Sequence, residues 1–186
     1  MLASRALPSS VRLIVRSEEL MGNLANQAVP FVNPYNKRRM RREVIEWIFG
    51  MEWSHAATFA INRQVPPHTV VSMLKVFCLE MDRYKFGTKH VSGIPSHERL
   101  QAFVTIEHPH SNIHMNAVVN LADWLQRPVT KTDEHEFNKI WKKCTWGCGD
   151  LLIKELKNVR GWIGYITKEF YHPSTDWMLA SFYHRS

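Results

Sequence analysis

The sequence predicts an α+β domain with a central, mostly antiparallel sheet and helices on one face. Three observations lead there. Two neighbouring segments, "LQAFVTIE" (100–107) and "IHMNAVVNL" (113–121), alternate apolar and polar residues with period two, as half-buried strands do. The short "HPHSN" (108–112) between them suits a hairpin loop. Segments of helical period flank the pair, "VVSMLKVFCLEMDRYKFG" (70–87) before it and "TKTDEHEFNKIWKKC" (130–144) after it.

Bulk properties bound the problem. A chain of 186 residues, 45% apolar with seven Trp and nine Phe, suits one core-forming domain. We expect a domain over 36–186 and an N-terminal arm over 1–35. No apolar run approaches the length of a transmembrane helix, so no membrane partner is expected. The formal charge of +7 suggests an anionic partner, most simply nucleic acid. Three cysteines, an odd number, argue against a disulfide framework and for a reducing, cytoplasmic compartment. The opening "MLASRALPSSVRLIVRS" has no acid before Glu18. That composition suits a transit peptide or a loosely attached arm.

The elements follow in order. "NPYN" (33–36) signals a turn, and "KRRMRREVIEWIFG" (37–50) then repeats Met40, Val44, Trp47 and Ile48 at helical spacing, with Gly50 to end it. Its other faces carry Arg38, Arg39, Arg41 and Arg42, either a solvated basic face or a phosphate-contacting one. "HAATFAINR" (55–63) reads as a strand. The helix after "PPHT" (66–69) aligns Val70, Leu74, Phe77, Cys78 and Met81, which makes Cys78 a core residue. In the paired strands Leu100, Ala102, Val104 and Ile106 share one face, as do Ile113, Met115, Ala117, Val119 and Leu121. In the 130–144 helix Thr132 is placed as the cap, with Asp133 and Glu134 at its start and Lys142 and Lys143 at its end. "GDLLIKEL" (149–156) reads as a strand of ambiguous pattern, "NVRGWIGYITKEFY" (158–171) as a helix and "DWMLASFY" (176–183) as a last strand.

Chemistry gathers in two places. If both apolar rows of the hairpin face the helices, the opposite face presents Glu107, His114 and Asn116 together, with Phe103 nearby. A carboxylate, an imidazole and an amide carbonyl suit Mg²⁺ or Mn²⁺ better than structural zinc. The plainer reading is a solvated polar face. The last helix aligns Val159, Trp162, Ile163, Ile166 and Phe170, and Tyr165 lies off that stripe beside Gly161, Lys168, Glu169 and His172. Gly161 and Gly164 leave room for a bulky substrate. Lys168, three residues on, is a neighbour across one turn. A phenol is a weak nucleophile at neutral pH, and a nearby cation favours its phenolate. Tyr165 is therefore a nucleophile or a structural aromatic, and its place off the stripe favours the first.

Taken in order, "AATFAIN", "FVTIEHPHSNIHMNAVV" and "GYITKE" resemble the rolling-circle replication initiators, the Rep-type HUH endonucleases, over roughly residues 53–172. The resemblance implies a ferredoxin-like nuclease fold that nicks single-stranded origin DNA. Tyr165 would attack the scissile phosphate and hold the 5′ phosphate, Lys168 would assist, and Glu107 and His114 would bind Mg²⁺ or Mn²⁺. Asn116 stands where the family has its second histidine, with a shorter reach for the metal. A rival register through His108 and His110 places Pro109 in the hairpin loop and is disfavoured, although His110 remains a DNA-contact candidate. No helicase segment follows, so a nuclease domain alone or a small stand-alone initiator is expected, with a separate helicase as a candidate partner.

Other readings stay open. The same fold without catalysis would be a single-stranded nucleic-acid-binding module, with Phe103 part of a stacking platform. Cys144 and Cys148 with His108 and His110 have the residue types of a zinc site. The Trp-rich helices suit a structural partner protein.

Overall fold

The computed structural model describes residues 34–87, 91–107, 113–168 and 176–179. The chain divides into two compact units, Met1–Met51 and Glu52–Ser186. Residues 1–33 of the arm expected over 1–35 lie outside the described residues. The first unit contributes helix α1 (Pro34–Phe49), whose Val44, Trp47 and Ile48 form one buried face. Arg39 is exposed and pairs one turn along with Glu43 (2.8 Å), and Arg42 is exposed as well.

The second unit follows the expected order. Strand β1 (His55–Ile61), helix α2 (Pro67–Phe86), strands β2 (Ala102–Glu107) and β3 (His114–Val119), helix α4 (Lys131–Cys144), strand β4 (Gly149–Glu155), helix α5 (Val159–Ile166) and strand β5 (Asp176–Leu179) succeed one another. A 3₁₀ turn (Val91–Gly93) and a short helix α3 (Leu121–Leu125) are additions. The five strands form one sheet in the order β4-β1-β3-β2-β5, and every neighbouring pair is antiparallel.

Period-two alternation sends Ala57, Phe59 and Ile61, Val104 and Ile106, Met115 and Ala117, and Leu151 and Ile153 to one face. There they meet Leu74, Phe77 and Met81 of α2 and Phe137 and Trp141 of α4. Phe59, Phe77 and Trp141 pack edge to face, with centroids 5.0–5.7 Å apart. The Trp141 indole donates to the Ala60 carbonyl (3.0 Å), fixing α4 on β1. Cys78 lies in this core as expected, and burial, aided by nearby Asp82, pushes its thiol up to about 12.

The second face of the sheet carries a helix too. Phe103 and Val118 point to it and are fully buried, and α5, with Ile163 and Ile166 buried, lies on that side. Apolar side chains on both faces of β2 and β3 demand cover on both. This corrects the stacking platform proposed for Phe103, which no base can reach.

A second correction concerns the start of α4. Thr130, not Thr132, is the cap: its hydroxyl accepts from the Asp133 amide, and the Asp133 carboxylate accepts from the Thr130 amide (2.8 Å). Asp133 also takes two bonds from Arg127 (2.6 and 2.7 Å) and one from the Tyr84 hydroxyl (2.9 Å). The Arg127 guanidinium, with the Thr130 and Tyr84 bonds, holds the Asp133 carboxyl well below the usual carboxylate range, against its desolvation. A depressed folded-state pKa adds stability that is present above the unfolded value, about pH 4, and is lost as pH falls toward the folded one. Asp133→Asn is therefore expected to cost about 2–3 kcal/mol at pH 7. Denaturation series should show the difference from wild type shrinking below about pH 4. An equal difference at all pH values would refute the assignment.

Strand β4, ambiguous in the sequence, alternates clearly: Gly149, Leu151 and Ile153 are buried and Asp150, Leu152 and Lys154 exposed. It is an edge strand, and the Leu151 amide donates to the Asn138 side chain of α4 (3.0 Å). Among the described residues, no helix is long and apolar enough to cross a membrane.

Candidate active site

Because one face of β2 and β3 is a buried apolar row, their register is strongly specified. Glu107 stands opposite His114, and Thr105 opposite Asn116. The three residues grouped by sequence alternation do share one face. His114 Nε2 lies 3.2 Å from Glu107 Oε2. Asn116 Oδ1 accepts from the Thr58 hydroxyl on β1 (3.0 Å). Glu107 is only 1% exposed, so its carboxylate is costly to hold without cationic or hydrogen-bonding neighbours.

One such neighbour comes from the end of α5. Lys168 Nζ lies 3.4 Å from Glu107 Oε2 and 4.0 Å from the centre of the Tyr165 ring. Partial desolvation lowers the Lys168 pKa, but hydrogen bonds to Tyr165 and Glu107 and the Glu107 charge outweigh it, so the net shift is upward. Lys168 thus stays charged at neutral pH. It links the carboxylate on the sheet to the phenol on the helix.

Tyr165 is 45% exposed, which rules out a core aromatic. It stacks on Trp162, with centroids 5.2 Å apart and planes 25° apart, and the Trp162 indole donates to the Ala117 carbonyl of β3 (2.9 Å). α5 begins where the Asn158 side chain accepts from the Gly161 amide (2.8 Å). A Cβ at Gly161 would lie 2.7 Å from that side chain, so the space beside Gly161 belongs to the cap rather than to a substrate. At Gly164 a Cβ would meet nothing, and there the expected room exists. The helix ends at Ile166, earlier than its apolar stripe suggests. The Thr167 hydroxyl bonds back to the Ile163 carbonyl (2.7 Å), and Lys168 follows in the turn with its amide on the Tyr165 carbonyl (3.0 Å).

The donor set suits a hard divalent ion. Glu107 Oε1 is buried and finds no hydrogen-bond partner among the described residues, and neither does Asn116 Nδ2. A buried carboxylate oxygen beside an imidazole nitrogen has the donor chemistry that such an ion takes. The Thr58 hydroxyl can donate or accept, so turning the Asn116 amide over keeps that bond and frees Oδ1 as a ligand.

His108, His110, Phe170 and His172 lie outside the described residues, as does the Arg38 side chain. Neither the second register nor the Cys144–Cys148 site with His108 and His110 is therefore described. Burial pushes the Cys144 thiol up to about 11. Arg39, Arg41 and Arg42 belong to the first unit.

Two contributors escaped the sequence reading. Trp162 was assigned wholly to the apolar stripe, although its spacing of three from Tyr165 signals the stack. Thr58 carries no local signal. It meets Asn116 only through strand pairing across 58 residues of chain. Comparison of the chain with family models, with curated proteins and with solved structures finds no match.

Proposed function

We propose that the protein nicks single-stranded DNA and transfers strands through a covalent link between Tyr165 and a 5′ phosphate. One observation carries the reading: an exposed phenol under a lysine ammonium, whose other partner is the buried carboxylate beside His114. Tyr165 Oη attacks phosphorus while the bond to the 3′ oxygen breaks. The phenol proton goes to solvent, and the leaving 3′ oxygen takes one up. Lys168 stabilises the phenolate and the charge growing on the phosphate oxygens. Attack by a 3′ hydroxyl on the phosphotyrosine reverses the step, releasing Tyr165 and rejoining a strand. Glu107, His114 and Asn116 would hold Mg²⁺ or Mn²⁺, which supplies Lewis-acid polarisation of the phosphate when bound. The resemblance to rolling-circle initiators supports this reading and extends it to origin DNA, to a helicase on a separate chain and to a cytoplasmic setting. In the same reading Arg38, Arg39, Arg41 and Arg42 contact DNA phosphates, and His110 contacts DNA.

A second reading is a nucleic-acid-binding module without catalysis. It is favoured by Lys168 already sitting against Glu107 and by Thr58 occupying Asn116 Oδ1. Incubation with a diverse pool of labelled single-stranded oligonucleotides, with and without Mn²⁺, separates the two. The enzyme yields a denaturation-resistant, Mn²⁺-dependent band, and Glu107→Gln reduces its formation about a hundredfold. Metal-independent, salt-sensitive binding with no band would establish the module instead.

A further inference from the structure

A strand placed at Tyr165 must leave the site somewhere, and the rim of the sheet at β4 offers a surface that the chemistry above does not use. A groove of about 500 Å³ opens beside Tyr165, with Ala56, Thr58 and Leu152 on the sheet side and Trp162 on the helix side. A second groove of about 1010 Å³ is lined by His55, Arg127, Lys131 and Ile153. The faces differ: Thr58 and Leu152 point toward α5, whereas Ile153 points to the face packed by α2 and α4. Both grooves share the ridge formed by Lys154, Glu155 and Lys157.

That ridge lies at the end of an edge strand, with no further strand beyond it among the described residues. Lys154 and Lys157 are exposed, and neither makes an ion pair among the described residues. Lysines on an edge also serve to block strand addition. Here the Leu151 amide is already taken by Asn138, so part of that protection is supplied without them. The first groove combines an apolar sheet side, an aromatic wall and a cationic rim. Bases and phosphates of a single strand need those three properties in alternation.

Building on the nicking reading, we propose that single-stranded DNA wraps around the rim of the sheet at β4. Bases next to the scissile phosphate lie against Leu152 and Trp162. Phosphates cross the ridge at Lys154 and Lys157, and the strand continues into the second groove toward Lys131. Only cationic and stacking contacts are involved, so the path is tolerant of sequence.

The test uses the full chain and the oligonucleotide dT20 in EDTA, where no cleavage intervenes. Replacing Lys154 and Lys157 together by alanine removes two phosphate contacts. The slope of log K against log salt should become about 1.4 less negative, and affinity at 0.1 M salt should fall roughly 25-fold. Amine acetylation in the wild-type complex should show Lys131, Lys154 and Lys157 protected and Lys139, exposed on α4, still reactive. Unchanged affinity and slope in the double variant would overturn the proposal. So would absence of dT20 binding, or a footprint that leaves Lys131 as reactive as Lys139, since the strand would then stay on the Tyr165 face. Failure of the nicking reading looks different: the three lysines are protected, but no adduct forms with Mn²⁺.

Discussion

Tyr165→Phe is expected to abolish the proposed covalent adduct and to leave oligonucleotide affinity and stability close to wild type. The substitution removes one oxygen, and that oxygen is the proposed nucleophile. The ring that remains still stacks on Trp162 and still faces Lys168, so the packing of α5 is preserved. The side chain is half exposed, and surface changes of this kind shift stability by no more than about 0.5 kcal/mol. Gel analysis of denatured samples and thermal melts read the two effects independently. An adduct band of wild-type intensity in the variant would move the nucleophile elsewhere and return Tyr165 to a surface aromatic. Loss of the band with an unchanged melt assigns the chemistry to the hydroxyl alone.

Asp82→Ala is expected to have the largest effect on stability. Asp82 of α2 is fully buried, its Oδ2 accepts from Arg99 Nε (2.7 Å), and its Oδ1 accepts from the Leu100 amide (2.9 Å). Arg99 is buried as well, so truncating the aspartate leaves a guanidinium inside the protein without its carboxylate. Breaking one side of such a pair costs about 3–5 kcal/mol, a large share of a typical domain's stability. The melting midpoint should drop by about 10 °C. The bond to Leu100 also fixes the chain two residues before β2 begins and seven before Glu107. Removing both charges, as Asp82→Leu with Arg99→Met, should recover most of the loss. Equal destabilisation by the single and the paired change would show that the packing of α2, not the ion pair, carries the effect.

The hairpin was the most legible part of the molecule. Strict alternation over 100–107 and 113–121 determined both the strands and the face on which Glu107, His114 and Asn116 meet, because a slip of one residue would put every apolar side chain on the wrong side. Tyr165 was legible as a residue off its helix's apolar stripe. What escaped depended on distant or competing contacts. Phe103 counted as a residue of the polar row and gave no sign that α5 would cover it. The cap of α4 fell to Thr130 because Asp133 can bond back to that residue's amide while also holding Arg127 and Tyr84. α5 ends at Ile166, where the Thr167 hydroxyl bonds back to the Ile163 carbonyl, a local contact that periodicity does not register. The edge position of β4, on which the strand path depends, is a property of sheet order alone.

The proposed nucleophile and the hairpin residues near it sit on elements of unequal durability. Glu107, His114 and Asn116 belong to strands with neighbours on both sides, whereas Tyr165 rides on an eight-residue helix. A helix that short does not persist in water by itself. It is held by buried Ile163 and Ile166, by the Trp162 bond to Ala117 and by Lys168 reaching Glu107. Amide exchange would therefore find α5 opening as its own cooperative unit, well before β3. In the nicking reading proposed above, such a hierarchy would let Tyr165 move with its helix while Glu107, His114 and Asn116 keep their register on the strands beneath. Lys168, in the turn that ends α5, would travel with Tyr165, so only the carboxylate, imidazole and amide would stay fixed on the sheet.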